Sequence, residues 1–373
     1  MSKKNRKWLV FTIMCLAYMP GSYAQYQLAV YAPELIQSFG LTTSQFSSLF
    51  TAPMIVAIFL SFVGGMISDK VGSKKVINIS FVIAGIGMIG RVFANSYMPF
   101  FLCMALTGFS NMFVNINASK ITASWFEQEK LGILMGIFAF CGQLPGAFAT
   151  ATTAVLFDSR TSAFIVSAIF CISVFVLWLL FVKDKPEDTM EEREKIDQEN
   201  QPSIGDSLKV VLSNKGIWLV SICIMMALGS MVTLSTFMPM ALQTMYGIDL
   251  KVCGTIASML TLGNCIGSIT GPIVFSKIKN VKVFVSGAAV LSFAGIIMCW
   301  RFPSIFVLHI LVLYTGIMLG ASMPIFLSAP VLLEGLGTKY AGSAAGVIST
   351  LQLLGAVLIP TYILTPIAGD NYS

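Results

Sequence analysis

The chain has 373 residues, 56% of them hydrophobic and only 11% charged, with a formal net charge of +6 and a mean hydropathy of +0.83. A soluble protein of this size keeps its surface wet with roughly a quarter of its residues charged. This composition therefore excludes a water-soluble globule and predicts an all-α polytopic membrane protein whose solvent is the lipid bilayer. The basic excess does not mark a nucleic-acid partner, because the lysines and arginines sit in short segments between apolar runs.

The first run, from Lys3 to Val30, can be read in two ways. Lys3, Lys4, Arg6 and Lys7 precede an apolar stretch, and Ser22-Tyr23-Ala24 has the small residues of a signal-peptidase site. The apolar character nevertheless continues through Leu28, Ala29 and Val30, as expected for a helix retained in the membrane. Runs long enough to cross a hydrocarbon core, about 20 residues, fall at 8–32, 46–67, 75–94, 97–118, 131–157, 162–182, 216–240, 252–275, 281–301, 304–328 and 341–366, eleven in all. Between the sixth and seventh lies the charged stretch "KDKPEDTMEEREKIDQENQPSIGDSLKVVLSNKG", unable to bury itself in lipid and read as a linker, with Asp206 capping a short surface helix.

Of the 23 lysines and arginines, 19 fall on one side of this topology when the N-terminus is placed in the cytoplasm; Arg91, Arg160, Lys251 and Arg301 fall on the other. That bias predicts a multi-pass inner (plasma) membrane protein with a cytoplasmic N-terminus and linker. An internal repeat supports the retained first helix. "LGILMGIFAF" at Leu131 and "AGSAAGVIST" at Ala341 share Gly-x-x-x-Gly at a spacing of 210 residues, and Trp8 maps in the same way near Trp218. The repeat predicts an N-terminal six-helix half (1–182), a cytoplasmic linker (183–215) and a C-terminal half (216–373). The second half holds five spans, with the partner of the sixth expected to begin near residue 372, so that a twelfth span is missing from the expected set.

Between the second and third spans stands "GGMISDKVGSKKV". It resembles the signature loop of the major facilitator superfamily, with Gly65, Asp69, Gly72 and Lys74 in register and Lys70 at a position usually held by arginine. Ser73 departs from the usual basic residue. Gly65 allows close helix approach and Gly72 a sharp turn. Asp69 at the membrane edge can pair with Lys or Arg and cap the positive end of a helix from the other half. The expected role is a gate on the cytoplasmic side. The second copy, "GPIVFSKIKNVK", is degenerate and places Phe275 at the aspartate position.

The resemblance implies the major facilitator fold, with the first, fourth, seventh and tenth spans lining a central cavity. Candidate cavity residues are Tyr23, Tyr26 and Gln27 in the first span, Asn111 and Asn115 in the fourth, Gln143 in the fifth, Thr233 and Thr236 in the seventh and His309 in the tenth. Asn111 and Asn115 are four apart and share a helix face; substrate contact and interhelical hydrogen bonding are both open for them. His309 reads as a hydrogen-bonded interior histidine or a titrating gate. Gly132/Gly136 and Gly342/Gly346 read as packing positions.

Cavity charge is scarce. Drug–proton antiporters of the superfamily carry an arginine where "MALTG" has Met104, and "GQLPG" alters their fifth-span motif. No arginine or lysine lies deep in spans one, two, seven, eight or eleven, which argues against a multiply charged anion. Tyr31-Ala-Pro and "SWFEQEKLGILMG" resemble the organic-anion and cyanate-permease branch. The expected function is secondary transport of a small polar, neutral or singly charged organic molecule by a monomer. Efflux of lipophilic compounds and a non-transporting sensor are the alternatives. No nucleophile–base pair, phosphate-binding loop or metal-ligand cluster suggests an enzyme, and neither cofactor nor metal is expected. The eight cysteines read as small apolar residues in packed helices.

Overall fold

A computed structural model describes residues 3–182, 204–248, 250–301, 304–333, 335–337 and 339–359, and within them a few helical residues whose side chains are left undescribed. Among the described residues the chain is helical throughout, without strands, and nine helices are long and apolar enough to cross a membrane. In order the helices are α1 (Lys3–Ala17), α2 (Met19–Val30), α3 (Ala32–Phe39), α4 (Thr43–Val71), α5 (Ser73–Phe93), α6 (Tyr97–Trp125), α7 (Gln128–Leu156), α8 (Arg160–Phe181), α9 (Ile204–Ser213), α10 (Lys215–Tyr246), α11 (Leu250–Ile278), α12 (Val281–Arg301), α13 (Ile305–Leu332) and α14 (Ala341–Leu358).

The first expected span is not one helix. It breaks at Tyr18, where α1 gives way to α2. Pro20 explains the break: it has no N–H to donate, and its ring disfavours helical geometry at Met19. A second break at Tyr31 leads into α3, which starts with Pro33 in its first turn and ends at Gly40 in the left-handed conformation. The short surface helix α9 begins at Ile204, so Asp206 lies in its first turn and is not its cap. Most of the expected linker, and the span beyond Ile359, lie outside the described residues.

The chain divides into two compact units. One comprises Met1–Gln128, Cys141–Asn214 and Pro330–Thr350; the other comprises Glu129–Phe140, Lys215–Ala329 and Leu351–Ser373. In the first, α6 packs against α4 and α5, and α5 against α8. Leu28, Leu35, Leu49, Phe100, Met104 and Phe164 form an apolar centre. Near it Phe81 stacks on Phe175 with ring centroids 5.4 Å apart, and Trp178 is fully buried.

In the second unit the apolar centre joins α10, α11 and α13 through Met238, Ile256, Leu260, Leu308 and Val312. A glycine ladder sets the approach of α11 to α13. A Cβ at Gly263, Gly267 or Gly271 would overlap the carbonyl oxygens of Leu313, Ile317 and Ala321 respectively, and one at Gly320 would overlap that of Asn264. Without a hydrophobic drive between helices in lipid, such backbone-to-backbone packing carries much of the association.

Candidate functional site

The turn between α4 and α5 follows from its residues. Gly72 closes α4 by donating its N–H to Ser68 O (3.1 Å) and opens α5 with φ +97°, a conformation that a side chain strains. One turn before it, Asp69 is drawn inward, its side chain only 3% exposed. Its Oδ1 accepts from Gly342 N (2.9 Å) and its Oδ2 from Ser343 N (2.6 Å) and Ser343 Oγ (2.7 Å). Gly342 and Ser343 open α14, so the carboxylate caps two of that helix's orphan N–H groups and faces its positive end. Lys120 of α6 donates to Oδ1 at 2.9 Å and balances the charge.

Gly65, one turn earlier on α4, has no room for a side chain, since a Cβ there would overlap the Gly342 carbonyl oxygen. A Cβ at Gly346 would overlap Ser61 O in the same way. Lys74 reaches Leu179 O at 3.5 Å, at the carbonyl end of α8. Lys70 is exposed. Of the five loop residues, Gly65 and Asp69 therefore meet α14, while Gly72 shapes the turn.

The second unit carries a related contact with different chemistry. Gly136 of α7 meets Ser268 O of α11, and Gly132 lies 3.9 Å from the Pro272 ring as measured from an ideal Cβ. Gly136 and Gly346 are 210 residues apart, and their contacts Ser268 and Ser61 are 207 apart. The same register sets Pro272 opposite Gly65 and moves the counterpart of Asp69 from Phe275 to Ser276. Ser276 bonds within its own helix, to Ile273 O (2.7 Å), and Phe275 packs on Phe284 with centroids 5.6 Å apart. Among the described residues no carboxylate cap is built there.

The candidate cavity residues divide by what they touch. Gln27 does not face a cavity. It is fully buried, with Nε2 donating to Ala163 O (3.0 Å) and Oε1 accepting from Arg91 Nη2 (3.0 Å). Arg91 corrects the sequence reading further. Counted by sequence with the outer segments at the end of the third span, it lies in the last turn of α5 and is turned inward, 1% exposed. Its Nη1 donates to Ala24 O (3.0 Å), its Nη2 also to Ser167 Oγ, and its guanidinium lies 4.4 Å from the Phe164 ring centre.

Asn111 fills the α1–α2 break. With its amide turned so that Oδ1 faces Ser22, it donates to Tyr18 O (3.1 Å) and accepts from Ser22 N (3.0 Å) and Ser22 Oγ (2.8 Å). These two groups are also helix partners four residues apart; the asparagine gives each of them a further partner from α6. Gly21 makes room, since a Cβ there would sit 2.5 Å from the Asn111 oxygen.

Thr233 bonds back to Gly229 O of its own helix (2.8 Å). Thr236 lies in α10, but its side chain is outside the described residues. His309 joins Ile305 O through Nδ1 (2.7 Å) and Thr255 Oγ1 through Nε2 (3.2 Å). A carbonyl only accepts, so Nδ1 carries a proton, and the ring serves to tie α13 to α11. Tyr23 stands edge-on to Phe170 and Tyr26 to Phe50, with centroids 6.2 and 5.7 Å apart. Asn115 and Gln143 are half-buried, and among the described residues their amides have no hydrogen-bond partner. Tyr23, Tyr26, Asn115 and Gln143, all within the first unit, thus keep polar groups uncommitted to the fold. Ser343 and Arg91 escaped the sequence reading. A serine at the third position of a span that opens "AGS" was the available signal for the former.

A family model described as Major Facilitator Superfamily matches residues 10–360, so the chain belongs to the major facilitator superfamily. It is a membrane transporter of that superfamily by family and fold. The chain is similar to a galacturonate transporter of Dickeya chrysanthemi, 23% identical over 309 residues, covering 79% of this chain and 90% of that one. It is also similar to the membrane sensor protein UhpC of Salmonella typhimurium, 23% identical over 374 residues and covering 95% and 83%. Among solved structures, the human organic anion transporter MFSD10 (TETRAN) shares the fold with a TM-score of 0.75 at 14% identity, covering 95% of this chain and 92% of the other.

Proposed function

We propose that the protein is a secondary transporter that moves a small, singly charged organic acid by alternating access. The observation that carries this reading is the Asp69 cap on α14. It is a charge-assisted contact, nearly shielded from solvent and built from a few hydrogen bonds that can be made and broken as a unit. Holding it closes the cytoplasmic side and releasing it opens that side. Lys70 and Lys74 anchor the loop on the basic face of the membrane. Tyr23, Tyr26, Asn115 and Gln143 are the residues offered to cargo, and their hydroxyl and amide groups suit a hydroxylated acid. Galacturonate and organic anions, the substrates for which two similar proteins are named, belong to the same chemical class.

On this reading 1–182 and 216–373 are the two moving halves and 183–215 is the cytoplasmic linker. The N-terminus lies in the cytoplasm and the protein works as a monomer in the inner membrane. The test is counterflow in proteoliposomes loaded with galacturonate, with other sugar acids and short monocarboxylates assayed in parallel. Saturable accumulation of labelled acid, abolished by Asp69→Asn, is the expected result. The similarity to a membrane sensor over most of the chain favours one second reading. Ligand-induced thermal stabilisation without any counterflow would select it over transport.

A further inference from the structure

Among the described residues Arg91 is the one arginine buried inside the helical bundle of the first unit, and its surroundings are unusual for a cation in lipid. Every group it touches is neutral: the Ala24 carbonyl, the Gln27 amide oxygen, the Ser167 hydroxyl, the Met104 sulfur and the Phe164 ring. Its Nε is buried without a partner. Among the described residues no carboxylate lies within ion-pair distance. The ionisable groups within electrostatic reach are Cys171, Tyr23 and Cys103, none of them a carboxylate.

A buried charge normally acquires a counter-charge, because desolvation in a medium of low dielectric is costly. Here the fold supplies four neutral acceptors and an aromatic face, and leaves the positive field uncancelled. That field falls on α2. Arg91 grips this half-helix at Ala24 and Gln27, beside Tyr23 in the chain, a residue offered to cargo. At 1% exposure it does not touch a solute itself.

We infer that Arg91 is a specificity-determining residue that selects anionic over neutral cargo through its uncompensated charge, without contacting the cargo. The inference rests on the transport reading above. A unit charge acting over roughly 10 Å at an effective dielectric near 20 favours an anion by on the order of tenfold in affinity, or about 1.4 kcal/mol.

The decisive variant is Gln27→Glu. It keeps the size and the hydrogen bond to Arg91, gives up the donation to Ala163 O, and supplies the missing negative charge. The measurement is ligand-dependent thermal stabilisation and counterflow of the full chain, with galacturonate and uncharged galactose as paired probes. Gln27→Glu and Arg91→Met are expected to lower the galacturonate-to-galactose affinity ratio by about tenfold. Arg91→Lys should keep it. If Gln27→Glu leaves the ratio unchanged, or all three variants weaken both probes equally, Arg91 is a structural staple and the inference fails. A wild type that binds both probes equally also defeats it while leaving transport intact. A wild type that binds neither galacturonate nor any other organic acid defeats the transport reading first.

Discussion

Replacing Asp69 by asparagine keeps the shape of the side chain while removing its charge and turning one oxygen into a donor. The native carboxylate accepts from Gly342 N, Ser343 N, Ser343 Oγ and Lys120 Nζ at 2.6–2.9 Å. Asparagine leaves at least one of these donors facing an NH₂ group. A hydrogen bond to a charged group contributes about 1.5–3 kcal/mol, and an anion at a helix N-terminus about 0.3–1 kcal/mol, rising to ~2 when partly buried. The contact between α4 and α14 should therefore weaken by about 3 kcal/mol, which shifts its open population roughly a hundredfold. A cysteine placed at Ser61, which is 1% exposed and lies under Gly346, reports the opening. Its alkylation from the cytoplasmic face of inside-out vesicles should accelerate at least tenfold in the Asp69→Asn background, relative to the same protein with Asp69 intact. Equal alkylation rates in correctly inserted proteins would refute the claim that the cap holds the two helices together.

The glycines of α7 give a paired expectation. Gly136→Ala should impair counterflow severely, since its Cβ overlaps Ser268 O, whereas Gly132→Ala, with only Pro272 3.9 Å away, should be tolerated; equal effects would show that the contact is not steric. Asn115→Ala should raise the apparent Km for the transported acid several-fold without changing thermal stability, because among the described residues the amide has no hydrogen-bond partner; a Tm loss of several degrees at constant Km would assign it to packing.

How far the sequence was legible depends on the kind of signal each residue carries. Helix positions follow from hydropathy alone, which is why α12 matches its expected limits and α13 and α14 begin within a residue of theirs. The Asp69 loop carried enough spacing information to be singled out, and Lys120 stood at the right end of its span. Arg91 was misplaced for a physical reason. A basic residue within a few positions of a span end snorkels outward or turns inward, and composition is the same in both cases. Its inward course depends on Gln27, 64 positions away in sequence, and Ser167, 76 positions away. Gln27 was misread for the complementary reason, since a polar side chain in a cavity-lining span is satisfied by protein or by cargo with no difference in local pattern. The break at Tyr18 was readable from Pro20, but its repair by Asn111 was not, because the amide comes from a helix almost a hundred residues away.

That repair bears on how the chain enters the bilayer. As the first span leaves the ribosome, the polar groups at the α1–α2 break lack the Asn111 amide that meets them in the finished fold, and a polar group short of partners in hydrocarbon is costly. Asn111 arrives only with α6. Full settling of the first span is therefore tied to synthesis of a helix three crossings later, and a wet or protein-lined site suits α1 and α2 until then.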